Sequence, residues 1–409
     1  MVMTQHSLID RVRETSQLTA MRGLQEQSSL PYFHRIESPV DALTVVDGRE
    51  VIMFGSNNYL ALGNHPRVVS AANAATSQLG AAMLGSRLYT GTTGLHLQLE
   101  QEIAEWHHTE SAIVFTTGYQ TSVGSICGLL GVGDSIVVDS AIHTSIRDAC
   151  KLSGANIRTF QHNQLDSLRA QLERLKDRDG MTLVVIESIY SMEGDAAPLT
   201  EVADLCQEYG VALMLDEAHS VGLLGAERTG LAELCGVTDQ VMIRMGTFSK
   251  ALASTGGFIA GPRDLVDALR INATTFVFSM AAIPASVGAA IAAIRIVRSG
   301  EGAELAGQVL RNADTLRSLL SQRAVAAGGA SAANSAAGGP IVSVPIGHEL
   351  AAVAVWCRLL ENGVFTGLSM FPAVPQGHAI LRMSTMASHS PEMLQTAADA
   401  VAWALKSIA

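Results

Sequence analysis

The sequence predicts an α/β protein in which a mostly parallel sheet lies between helices, followed by a smaller α+β unit. Three observations carry this. Short β-branched runs alternate with amphipathic stretches through the middle of the chain. Those runs are almost continuously apolar, as strands covered on both faces must be. After about residue 290 the texture changes to long helices and two isolated strands. The chain has 409 residues, roughly two or three domain equivalents at about 150 residues each. The expected division is an N-terminal arm and hairpin over 1–60, a large domain over 61–290 and a small C-terminal domain over 291–409.

Taken in order, the first 50 residues read as a helical arm and then a short hairpin, because Asp47–Gly48 suits a two-residue turn with positive φ at both positions. Strands are expected at Ser111–Phe115, Ser135–Asp139, Thr182–Ser188, Val211–Asp216 and Met242–Gly246. Between them, apolar residues at helical spacing predict helices over Gln120–Leu130, Thr144–Leu152, Leu165–Leu175 and Leu199–Tyr209. Met280–Val297 is apolar apart from Ser286 and Arg295, but it contains Pro284 and Gly288 and is mostly Ala and Ile; it reads as a buried small-residue helix and not a membrane span. Helices follow to about Ser299 and over Ala303–Ser321, then a low-complexity surface loop at Ala324–Gly339. The last elements are a strand at Ile341–Val344, a helix at Leu350–Asn362, a strand at Ala379–Ser384 and a helix at Pro391–Ile408.

Composition narrows the function. Hydrophobic residues make up 48% and the formal net charge is −11, which suits a well-cored globular chain and argues against nucleic acid or anionic lipid as partner. The five cysteines are scattered and form no CxxC, as in a reduced, cytoplasmic protein. No N-terminal secretory pattern is visible.

In open α/β sheets ligands collect at the carboxyl ends of the strands, so the residues that follow each strand matter most. Asp216 ends an apolar strand in LMLDEAHSVG, with His219 three residues on, able to face the same pocket. An N-cap role is the plain alternative. A helicase reading of DEAH needs an upstream G-x-x-x-x-G-K-[ST] loop, which this chain lacks. Lys250, in MGTFSKALASTGG, follows a strand among apolar and small residues; a desolvated lysine has a lowered pKa and forms Schiff bases. FTTGYQTSVG runs from strand through Gly118 into a helix whose N-terminus can hold a phosphate. His143 follows another strand, in DSAIHTSI. A lysine, a carboxylate for a ring nitrogen and a phosphate cradle are the requirements of pyridoxal phosphate (PLP) chemistry.

Six ordered blocks make the resemblance specific: FGSNNYLALGNHP (54–66), GSRLYTGTTGLHLQLE (85–100), ESIYSMEGDAAPL (187–199), DEAHS-x-G, T-F-x-K ending at Lys250, and G-x-x-x-x-R-x-S around Arg382. From about Phe54 to Pro391 the chain resembles the α-oxoamine synthases, which are PLP-dependent transferases of fold type I. The resemblance implies that Lys250 carries the cofactor and moves the substrate Cα proton, and that Asp216 pairs with the ring nitrogen. It implies that His143 stacks on the ring, that His219 and Ser191 donate toward the phenolic oxygen, and that Gly118, Tyr119 and Thr247 hold the phosphate. Asn57 and Arg382 would bind the amino-acid carboxylate, Arg382 as a charge-assisted fork. No metal is implied.

Three positions depart from the family pattern. FSMAAIP (278–284) has Met280 and Ala281 where relatives carry hydroxyls that reach a neighbouring subunit's phosphate, a family glycine is Ala253, and the first arginine of an R-x-R pair is Ile380. The implied activity is condensation of a small L-amino acid (glycine, alanine or serine) with an acyl thioester of CoA or a carrier protein, releasing thiol and CO2 to give an α-amino ketone. The implied assembly is a homodimer with the apolar Phe276–Pro284 segment crossing to the neighbour. A fold-type I aminotransferase is the alternative, and a non-catalytic scaffold subunit conflicts with the retained Lys250, Asp216 and His219.

Overall fold

The computed structural model describes residues 8–329 and 338–408. Its larger sheet has seven strands: β3 (Ser111–Phe115), β4 (Ser135–Asp139), β5 (Asn156–Phe160), β6 (Thr182–Glu187), β7 (Ala212–Asp216), β8 (Ile243–Thr247) and β9 (Gly257–Gly261). Their order across the sheet is β3-β9-β8-β7-β6-β4-β5. The pairs from β5 to β8 are parallel, and β9 runs antiparallel to both β8 and β3.

Side-chain alternation explains the burial. Val137, Val184, Ile186, Leu213 and Leu215 face one core with Leu168, Leu172 and Val202 from the covering helices. Ile136, Val138, Leu183, Val185 and Met214 face the other with Ile126, Ile146 and Leu269. Both faces are therefore dry, which is why these strands lack the polar half of an alternating pattern.

The smaller sheet has β1 (Leu43–Val46), β2 (Arg49–Phe54), β10 (Ile341–Gly347), β11 (Val364–Ser369) and β12 (Ala379–Ser384), in the order β1-β2-β11-β12-β10. The expected hairpin turn is present, with φ of 47° at Asp47 and 76° at Gly48. Its second strand, β2, then pairs in parallel with β11, so the N-terminal hairpin extends the C-terminal sheet.

Three strands escape the sequence reading. β5 carries half-buried Asn156 and Arg158 at the sheet edge, β9 is bounded by glycines, and β11 contains a glycine. The 280–297 stretch forms a helix only from Pro284 to Val297, largely buried. It packs on the helix Pro66–Leu79 at Gly288, where a Cβ would lie 2.7 Å from the Ala71 carbonyl oxygen. Among the described residues no helix is long and apolar enough to cross a membrane. Of the expected 324–339 loop, residues 330–337 lie outside the described residues. All five cysteines are free.

Candidate active site

The polarity of the sheet decides where chemistry collects. After β4 the chain passes to the edge strand β5 and returns on the other side of β4 as β6, which makes a topological switch point. The carboxyl ends of β4, β6, β7 and β8 open there on a cavity of about 370 Å3. Eight of the ten expected residues line it: Asn57, Gly118, Tyr119, His143, Asp216, His219, Thr247 and Lys250. Ser191 and Arg382 stand just behind: Arg382 Nη1 donates to Asn57 Oδ1 at 3.0 Å, and its Nε donates to the Ser191 carbonyl. A larger cavity, about 690 Å3, lies at the opposite, amino-terminal ends of β6–β8 and holds none of these groups.

Asp216 is the last residue of β7 and is 5% exposed. Its Oδ1 accepts from the Ala218 N–H at 2.9 Å, and Oδ2 has no hydrogen bond among the described residues. Burial raises its pKa above the ordinary aspartate value, and Lys250 opposes the shift. The N-cap alternative fails, because turns follow Asp216 and the next helix begins only at Leu231. The neighbouring acid of the DEAHS block plays a structural part. Glu217 accepts from Leu231 N–H at 2.9 Å and Ala232 N–H at 3.0 Å and fixes the following loop.

Lys250 Nζ has no hydrogen bond and no ion pair within 4.0 Å among the described residues. Burial pushes its pKa down to about 8 against the pull of Asp216. A lysine in this state is a nucleophilic amine near neutrality.

His143 caps the helix Thr144–Ser153, and its Nδ1 meets Ser145 Oγ at 2.8 Å. Burial lowers its pKa against the pull of Asp216, which favours the neutral ring. Gly118 opens the helix Gly118–Leu129, capped by Thr117 Oγ1 on the Gln120 N–H at 3.1 Å. A Cβ at Gly118 would sit 3.1 Å from Thr247 Oγ1, so glycine keeps the helix N-terminus close to β8. Tyr119 turns its hydroxyl away, donating to Asp148 Oδ2 at 2.7 Å, which leaves its backbone to serve the cavity.

Six lining residues are not among the expected ones, Thr117, Ser145, Glu187, Ala218, Met245 and Ser249, and Glu187 is the ionisable one of them. Glu187 ends β6 in register with Asp216 and is 2% exposed. Its Oε1 accepts from the His143 N–H at 2.5 Å and its Oε2 from the Ser191 N–H at 3.2 Å, so one carboxylate joins the loops that follow β4 and β6. Burial and the charge of Asp216 push its pKa well up. The signal was present: Glu187 ends a buried apolar strand just as Asp216 does.

These groups fit PLP. The cavity holds an unpaired neutralisable lysine, a buried carboxylate with one free oxygen, and a helix N-terminus beside the Thr247 and Ser249 hydroxyls, which meet at 2.8 Å. Among the described residues Arg382 forms no ion pair with a carboxylate within 4.0 Å; its partners are the neutral oxygens of Ser191, Asn57 and Ser384. The expected departure at Ala253 is also visible, since it holds the left-handed φ of 48° that a glycine adopts without strain.

The aminotransferase class I and II family model matches residues 49–401. The chain is 37% identical to a serine palmitoyltransferase of Caulobacter vibrioides, over 92% of this chain and 91% of that one. It is 40% identical to an 8-amino-7-oxononanoate synthase of Trichlorobacter lovleyi, over 87% and 89%. In three dimensions it superposes on serine palmitoyltransferase from S. paucimobilis, solved with PLP and myriocin bound, with a TM-score of 0.92 at 29% identity, covering 98% of this chain and 99% of that one.

Proposed function

The chain belongs to the aminotransferase class I and II family, in its α-oxoamine synthase branch, and from that premise we propose that it condenses a small L-amino acid with an acyl thioester to give an α-amino ketone, CO2 and free thiol. It is a PLP-dependent acyltransferase, and relatives of both named kinds favour this reading over simple amino transfer. The observation that carries the substrate reading is Arg382: a partly buried guanidinium beside the cavity, held in place by neutral oxygens and left without a carboxylate.

When bound, PLP supplies an aldehyde carbon that links to amines and a ring that accepts the electron pair left at the substrate Cα. The residues divide the remaining work. Asp216 holds the ring nitrogen protonated through its free oxygen. Gly118, Tyr119 and Thr247 hold the phosphate, and His143 covers the ring. Ser191 and His219 serve the phenolic oxygen. Arg382 and Asn57 hold the amino-acid carboxylate, which orients the Cα–H bond toward Lys250. Lys250 Nζ, at the cavity, would take that proton.

A second cavity of about 410 Å3 meets the first at Asn57, Ser249 and Lys250 and continues past Pro39, Val40 and Ser254. We assign it to the approach of the acyl thioester, because it reaches the site from outside without displacing the carboxylate clamp. Assembly as a homodimer is part of the same proposal. Leu84, Tyr89, Phe278 and Met280 are 85%, 82%, 85% and 63% exposed, and the 84–91 and 278–283 segments are joined by a Ser86–Met280 bridge. An apolar patch of this kind beside the cavity suits a second copy.

The test is a matrix of glycine, alanine and serine against acyl-CoA and acyl-carrier-protein thioesters, read by free thiol, CO2 and product mass. One combination should release thiol and CO2 in equal amounts with the ketone. Amino transfer to a keto acid with no thiol from any thioester would establish the aminotransferase instead.

A further inference from the structure

Behind the cavity wall, Tyr59 is completely buried; its hydroxyl meets two acceptors, His219 Nδ1 at 2.7 Å and Asn57 Oδ1 at 3.2 Å, and also lies near the Arg382 guanidinium, which can only donate, and the Ser384 hydroxyl, which is directed at Asn57 Oδ1. Asn57 must present its oxygen here, because the Arg382 guanidinium, which can only donate, lies 3.0 Å from the same atom. A tyrosine hydroxyl has one proton, and two acceptors compete for it. We propose that Tyr59 is a positioning residue for His219: it gives its proton to Nδ1 and so places the ring hydrogen on Nε2, the nitrogen left for the cavity.

Three observations support this allocation. A separation of 2.7 Å suits an O–H donor, whereas an N–H donor to oxygen ordinarily settles at about 2.9–3.0 Å. Asn57 Oδ1 is already served by a charge-assisted donor and lies farther away. The ring is neutral, because burial and the nearby Lys250 and Arg382 charges hold its pKa well below the ordinary histidine value, so it has one hydrogen to place. His219 Nε2 makes no hydrogen bond among the described residues, while the side chain lines the cavity. With the proton assigned to Nδ1 by Tyr59, His219 meets a ligand as a donor; with the opposite tautomer it would meet it as an acceptor.

The consequence for the phenolic oxygen rests on the proposed function, but the tautomer does not. It can be read in the cofactor-free protein by nitrogen-15 NMR of labelled histidine, with the His219 signals identified by their loss in His219→Asn. The expected wild-type pattern is an unprotonated Nδ1 and a protonated Nε2; the reverse overturns the proposal, and this measurement needs no Tyr59 variant. Tyr59→Phe should then remove the bias and mix the two forms, with its thermal midpoint and circular dichroism confirming the fold. A single unchanged tautomer in a folded Tyr59→Phe protein also overturns it. With PLP added, loss of a donor at an anionic oxygen should raise the pH midpoint of the visible absorption band by about one unit. A midpoint that does not move overturns the placement of His219 at the phenolic oxygen, while the cofactor-free spectra still decide the tautomer.

Discussion

Replacing Arg382 with lysine should weaken amino-acid recognition while leaving the cofactor in place. The guanidinium is held from two sides: Nε donates to the Ser191 carbonyl, and Nη1 donates to Asn57 Oδ1 and Ser384 Oγ, both at 3.0 Å. The two N–H groups of Nη2 remain for a substrate carboxylate, on a guanidinium already fixed in orientation. A lysine keeps the charge but offers a single nitrogen, which cannot meet the anchoring oxygens and both carboxylate oxygens together. Loss of one charge-assisted hydrogen bond costs about 1.5–3 kcal/mol, so kcat/KM for the amino acid should fall by roughly 10- to 150-fold. The assay is titration of the holo-protein with amino acid, followed by the change in cofactor absorption, alongside initial rates of thiol release. PLP affinity of the Arg382→Lys variant should match wild type. Unchanged amino-acid affinity in that variant, with normal cofactor content, would refute the clamp.

Three further outcomes follow from the geometry. Asp216→Asn keeps the Ala218 contact but removes the buried charge, which typically costs about 3–5 kcal/mol for a broken buried pair; turnover should drop by orders of magnitude, and near-normal turnover would remove Asp216 from the site. The folded-state pKa of Lys250 is depressed to about 8, so its amine is protonated below that pH and free above it; the rate of PLP capture by the cofactor-free protein should rise with pH and level off above about 8, and a rise continuing toward pH 10 would show the amine to be solvated. Wild type should sediment as a dimer and Phe278→Glu with Met280→Asp as a monomer with reduced activity; a fully active wild-type monomer at assay concentration would refute the interface.

The legible parts of the fold were those with a one-dimensional signal. β4, β6 and β7 announce themselves because both faces are buried and, after an opening Ser135 or Thr182 in β4 and β6, every residue is apolar until the final acid. β5 has half-buried Arg158 in its middle because it is an edge strand, and β9 returns antiparallel between glycines, so neither has the expected texture. At the site, Lys250, Asp216, His143 and Gly118 could be singled out by one rule, their place after a strand. Glu187 obeys the same rule and was passed over. The Tyr59–His219 contact and the hold of Ser191 on Arg382 join residues 160 and 191 positions apart, and no local pattern encodes such pairings.

The parallel pairing of β2 with β11 bears on how the protein comes to be active. Asn57, three residues beyond β2, meets Arg382, on β12, across 325 positions of chain. The cofactor end of the site, from Gly118 to Lys250, is complete once the larger sheet has formed. The carboxylate clamp is not, because it requires both ends of the chain to share one sheet. Closing so long a loop is among the slower events of folding. During synthesis the segments that place PLP can therefore come together before the carboxylate clamp closes.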